Sequence, residues 1–139
     1  MKTRIRTFLF ALSLVLCSSA AMAAFQVYGE IAVKWNALGA AGGFLGAPLN
    51  DETGTPDGVG RYNHFENGSI YWTPQTGAHE VHGLIRDKWA SMSWERGKLK
   101  YPISDEFQDG AYRRTNFQGG FVRWSEKTGA VVTLSVKFD

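Results

Sequence analysis

The stretch Phe65-Glu66-Asn67-Gly68-Ser69-Ile70-Tyr71-Trp72, closed by Thr76-Gly77-Ala78, is written twice in this chain. Its landmarks Phe65, Gly68, Trp72 and the Thr-Gly-Ala turn return 52 residues later as Phe117, Gly120, Trp124 and Thr128-Gly129-Ala130. Upstream, Ile31, Trp35, Pro48 and Glu52 return 54 residues later as Ile85, Trp89, Pro102 and Glu106. The second copy is therefore two residues shorter between Glu106 and Phe117, where a loop belongs. Tandem units of this length are supersecondary modules that bury an apolar face against a neighbouring copy. Such arrays commonly present surfaces for binding. They rarely gather the unlike residues that an active site needs.

Within each unit the apolar residues change period. Ile31, Trp35 and Leu38, like Ile85, Trp89 and Met92, follow the i, i+4, i+7 spacing of a helix stripe. A Gly- and Pro-rich loop comes next, then strands on either side of Asn67-Gly68. This dipeptide predicts a tight hairpin with both central residues at positive φ; Gly119-Gly120 occupies the place in copy two. A third strand is expected near Ala78 to Val81. The expected fold is α+β: two tandem repeats, about 27–80 and 81–132, each a short helix, a loop and a three-stranded antiparallel meander. They are expected to pack as one pseudo-symmetric domain, with a closing strand at 133–138 added to the meander of copy one.

The N-terminus reads as an export signal. Lys2, Arg4 and Arg6 precede the apolar run Phe8 to Leu16, and Ala21-Met22-Ala23 fits signal peptidase, so residues 1–23 are expected to be removed. The run is too short for an ordinary membrane-spanning helix. Leu16 stands before Cys17 where lipidation requires a small residue. The remaining chain, 24–139, has 12 Lys and Arg against 13 Asp and Glu. Nothing in that balance draws it to nucleic acid or an anionic membrane. The single cysteine leaves with the signal, so packing alone must hold the fold.

These landmarks resemble the LGFP repeat, a family found in tandem in envelope proteins, mostly of actinobacteria, often beside esterase or amidase domains. Copy one carries Val27-Tyr28-Gly29-Glu30-Ile31, Trp35, Leu38-Gly39, Asp51-Glu52, Gly68-Ser69-Ile70-Tyr71-Trp72 and Thr76-Gly77-Ala78. Copy two carries Val81-His82-Gly83, Ile85, Trp89, Asp105-Glu106, Trp124 and Thr128-Gly129-Ala130. The naming tetrapeptide is Leu45-Gly46-Ala47-Pro48 in one and Leu99-Lys100-Tyr101-Pro102 in the other. Lysine at the glycine place suggests that positive φ is not obligatory there. The resemblance implies a place in the envelope and attachment to the cell wall.

Trp35 and Trp89 are expected in the core. Because one face of a strand is buried and the other exposed, Trp72 and Trp124 should share the core face with Ile70 and Val122. Tyr71 and Arg123 should then point outward. Trp94 lies in the polar loop Ser93 to Gly97 and has no aromatic counterpart, since Ala40 holds its place. That makes it the best candidate for stacking on a sugar ring. The pairs Asp51-Glu52 and Asp105-Glu106 offer acceptors for hydroxyls; structurally, they would cap backbone N–H groups of the turns after Pro48 and Pro102. The candidate ligand-binding residues are Trp94, Tyr71, Arg123, Glu52, Glu106, His64 and its counterpart Asn116. His79 and His82, at i, i+3 on a strand, point to opposite faces and make no metal site; no cofactor is expected. The chain is expected to be a noncatalytic module, secreted, periplasmic or wall-associated, that binds cell-wall polysaccharide or peptidoglycan. Alternatives are a module docking on an envelope protein such as a hydrolase, or a glycan hydrolase using the acidic pairs.

Overall fold

A computed structural model describes residues 24–136. The expected signal segment and the last residues of the expected closing strand lie outside them. Copy one contributes helix α1 (Gly29–Ala37) and strands β1 (Thr53–Gly54), β2 (Arg61–Phe65), β3 (Gly68–Thr73) and β4 (Gly77–His82). Copy two contributes α2 (Gly83–Ser91) and strands β5 (Phe107–Asp109), β6 (Tyr112–Phe117), β7 (Gly120–Ser125) and β8 (Gly129–Leu134). Each set of strands forms its own four-stranded antiparallel sheet, ordered β1-β2-β3-β4 and β5-β6-β7-β8. The meander is thus one short strand longer than expected. The closing strand is corrected too. The tail belongs to β8, which pairs with β7 in register Val122↔Val132 and takes in copy two the place of β4.

The layers explain why two copies suffice. Helix α1 packs on β3 and β4, while α2 packs on β3 and β4 from the other side and on β7 and β8 of its own sheet. The order of layers is helix, sheet, helix, sheet. Ile31 of α1 meets Leu45, Phe65 and Ile70 in one core. Ile85 and Trp89 of α2 meet Leu99, Phe117 and Val122 in the other, which also takes in Tyr71 and Val81 from copy one. The outward placement of Tyr71 is therefore corrected: it is 3% exposed. The first sheet has a helix on each face, so alternate residues Ile70 and Tyr71 are both buried.

The hairpin turn also differs from expectation. Phe65 pairs with Gly68, which makes Glu66 and Asn67 the central residues, and neither has positive φ. At Gly68 the glycine is required by close approach instead, since a Cβ would lie 2.5 Å from Leu45 Cδ2; Gly120 meets both demands, with φ 151° and a Cβ that would lie 2.1 Å from the carbonyl oxygen of Thr133. Among the described residues no helix is long and apolar enough to cross a membrane.

Candidate functional site

The acidic pairs fasten the segment entering each helix, and Asp105 also pairs with Lys34 of α1 at 2.6 Å. Asp51 accepts a hydrogen bond from the N–H of Gln26 at 2.8 Å, and Glu52 accepts one from the N–H of Tyr28 at 2.8 Å. In copy two Asp105 accepts from the N–H of Glu80 at 3.1 Å. The second carboxylate of each pair is held by an arginine across the strand: Arg61 on Glu52, and Arg113 on Glu106 at 2.7 Å. The carboxylates do serve backbone N–H groups, but those of the segment entering the helix rather than of their own turn.

Around these pairs the repeat builds the same pocket twice. Gly29, Glu30, Ile31, Glu52, Arg61 and Trp72 line a pocket of about 220 Å³ in copy one. Gly83, Leu84, Ile85, Glu106, Arg113 and Trp124 line one of about 270 Å³ in copy two, with His82 added. All six positions are equivalent in the two copies. Each pocket has the edge of a tryptophan, a guanidinium, a carboxylate and the opening turn of a helix whose N-cap side chain makes no capping bond. That is a mainly apolar wall with a few fixed polar groups, the usual make-up of a small-ligand site. Glu52 and Glu106 belong to it. So do Arg61, Arg113, Trp72 and Trp124, none of which the sequence places in the site, although the 52- and 54-residue offsets of the repeat make all four pairings legible.

Three other candidates lie at the junction between the copies. Trp94 sits in a single 3-10 turn, Trp94–Arg96, just after α2. Its ring is 5.4 Å from His64, 6.0 Å from Tyr71 and 5.1 Å from Trp89, centroid to centroid, and Arg86 lies over it at 5.1 Å. Arg86 also donates to Ser69 Oγ at 2.7 Å. Trp94 is thus a half-buried wedge rather than a free aromatic. Packing of α2 on the first sheet carries the loop Ser93 to Gly97 in with it. Burial, with the charge of Arg86, holds the His64 imidazole below its ordinary pKa; burial pushes the Tyr71 phenol far up. Arg123 and Asn116 lie elsewhere, on the far face of the second sheet. The candidates therefore fall into four places and do not converge on one.

A model of the LGFP repeat matches residues 45–97 and again 99–135, most of the chain between them. The chain belongs to the LGFP repeat family. Among curated proteins none matches it. The LGFP tetrapeptide has a clear physical role here. Leu45 and Leu99 are fully buried. The carbonyls of Gly46 and Lys100 each accept the indole N–H of the helix tryptophan, Trp35 or Trp89, at 3.0 Å. Both residues are left-handed, Gly46 at φ 75° and Lys100 at φ 58°. Positive φ is therefore kept at this place of the LGFP motif even when the residue is lysine, against the expectation from its side chain.

The third LGFP place separates the copies. Tyr101 reaches back into copy one, where its hydroxyl lies 2.8 Å from Thr55 Oγ1 and donates to Asp57 at 2.7 Å. The equivalent Ala47 meets no such partner among the described residues. Beside this junction His82 lies between two carboxylates, Glu80 at 2.6 Å and Glu106 at 3.3 Å. The hydrogen bond to Glu80 raises its pKa against the effect of burial. Burial acts upward on Asp105, but hydrogen bonds from His79, Lys34 and the N–H of Glu80 outweigh it and hold the carboxyl at about 2.

Proposed function

We propose that this LGFP-repeat chain is an exported, noncatalytic module that binds a polysaccharide of the cell wall or peptidoglycan, one pocket per copy. The observation that supports this reading is the recurrence of the pocket at six equivalent positions. A polymer repeats its own units along its length, so two like pockets on one rigid array can engage it together. Such double engagement raises apparent affinity by about 10²–10⁴ over one site without any new contact. The signal-like residues 1–23 agree with export. Hydrolysis by the acidic pairs has less support, because Glu52 and Glu106 are each held by an arginine and line separate pockets, whereas a glycosidase sets its two carboxyls around one bond.

The test is binding of the chain from Ala24 onward to purified wall polysaccharide, compared with Arg61→Ala, Arg113→Ala and the double variant, with thermal unfolding followed alongside. Each single variant should lose most of the double-site advantage, and the double variant should bind more weakly than either single one while staying folded. Binding that ignores both substitutions would remove the pockets as the site. Capture of an envelope hydrolase, with no affinity for polysaccharide, would favour the docking alternative.

A further inference from the structure

The two sheets are covered differently among the described residues. In the first, the face bearing Tyr62, His64 and Tyr71 is covered by α2 and Trp94. The equivalent face of the second sheet carries Tyr112, Arg114, Phe121 and Arg123, together with Phe107 and Val131, by the register of β5 to β8. No helix of the described residues lies over it. Phe107 and Val131 are exposed. The guanidinium of Arg114 stacks on Phe121 at 3.7 Å, and that of Arg123 stacks on Tyr112 at 4.7 Å. Arg114 is paired with Asp109 at 3.1 Å. Among the described residues Arg123 has no carboxylate partner.

The charge of the chain is divided to match. Residues 24–82 hold two cationic and six acidic side chains, while residues 83–136 hold nine cationic and six acidic. A guanidinium over a ring face can still offer N–H groups to a carboxylate, in the fork that matches it. The neighbouring Phe107 and Val131 offer apolar surface to the C–H faces of a sugar ring. A second copy stacking by its first helix would meet this face with Ala32, Asn36 and Ala40, which carry no charge and would leave Arg123 without a carboxylate.

We infer that the outer face of the second sheet is a further binding site, distinct from the two pockets, for a carboxylate-bearing polysaccharide, with Arg123 as its anchor. The inference rests on the reading of the chain as a polysaccharide-binding module and specifies the chemistry of the polymer.

Polygalacturonate, a neutral glucan and inorganic polyphosphate serve as probes for the chain from Ala24 onward, with Arg123→Gln and Arg123→Lys as variants and circular dichroism to confirm folding. Polygalacturonate should bind, more weakly as salt rises. Arg123→Gln should weaken it roughly tenfold or more, as loss of a charge-assisted bond does. Arg123→Lys should recover only part of that, since lysine keeps the charge and loses the fork. Binding that ignores Arg123→Gln overturns this site alone and leaves the pockets standing. Polyphosphate binding as tightly as polygalacturonate overturns the sugar assignment. Concentration-dependent self-association abolished by Arg123→Gln would mean that a second copy occupies the face, and would overturn the inference. Failure of every wall polysaccharide as well as polygalacturonate removes the module reading and this inference together.

Discussion

The Tyr71 face of the first sheet and the Arg123 face of the second are the same place in two copies of one unit, yet one is core and the other surface. The difference lies in the element that succeeds each sheet. After β4 the chain continues into α2, which covers the Tyr71 face and brings Trp94 and Tyr101 with it. After β8 no described helix does so, and arginines lie across the aromatic residues instead. The helix side shows the converse. Arg86, Trp94 and Tyr101 fill the junction, while their counterparts Ala32, Ala40 and Ala47 are small. Where the two copies diverge in sequence, the divergence marks the junction between them.

The contrast between the copies should be largest at the helix tryptophans. Trp89 is fully buried between the sheets, whereas Trp35 is half-buried. Trp89→Ala should cost about 3–5 kcal/mol, in the range of large buried truncations. Trp35→Ala should cost less, and Arg123→Ala should stay within about 0.5 kcal/mol, as surface changes do. Urea unfolding of the three variants ranks them. The bridge between the copies should matter less than Trp89. Tyr101→Phe removes the hydroxyl bond to Asp57 and should destabilise by about 1–2 kcal/mol. Ala47, its counterpart, can take Ser at no comparable cost.

A smaller effect of opposite sign is expected at the LGFP glycine place. Lys100 holds a left-handed backbone that Gly46 adopts freely. Lys100→Gly should therefore stabilise by up to about 1 kcal/mol, seen as a higher melting temperature.

The smallest effects separate two histidines by sign. The folded pKa of His82 is raised from 6.5, so its stabilisation is full below 6.5 and is lost as pH rises through the folded value. That of His64 is lowered from 6.5, so its stabilisation is full above 6.5 and is lost as pH falls through the folded value. His82→Gln should flatten stability on the alkaline side of 6.5, and His64→Gln on the acid side. A pH series of melting temperatures, in which either variant flattened the wrong side, would refute the assignment.

Much of this is legible in the sequence because a repeat tests itself: a landmark that recurs in order cannot be accidental in each copy. The helix stripes, the LGFP family and the acidic pairs all come from that. The Tyr71 face does not. Alternation along a strand identifies two faces but cannot tell a sheet with one covered face from a sheet with two, and Ile70 and Tyr71 are both buried. The role of Gly68 is hidden for a related reason: a glycine required by a neighbour's close approach reads like one required by its own φ. The pockets escape a linear reading because Arg61 and Trp72 are far apart in sequence and meet only across the hairpin.

Helix α2, held between both sheets, makes two copies one folding unit on which two pockets sit at fixed spacing. Native-state hydrogen exchange reads this most directly. The slowest amides of β3 and β7 should open with the same free energy and respond equally to Trp89→Ala. Two distinct opening free energies, with only the second sheet weakened by Trp89→Ala, would contradict it.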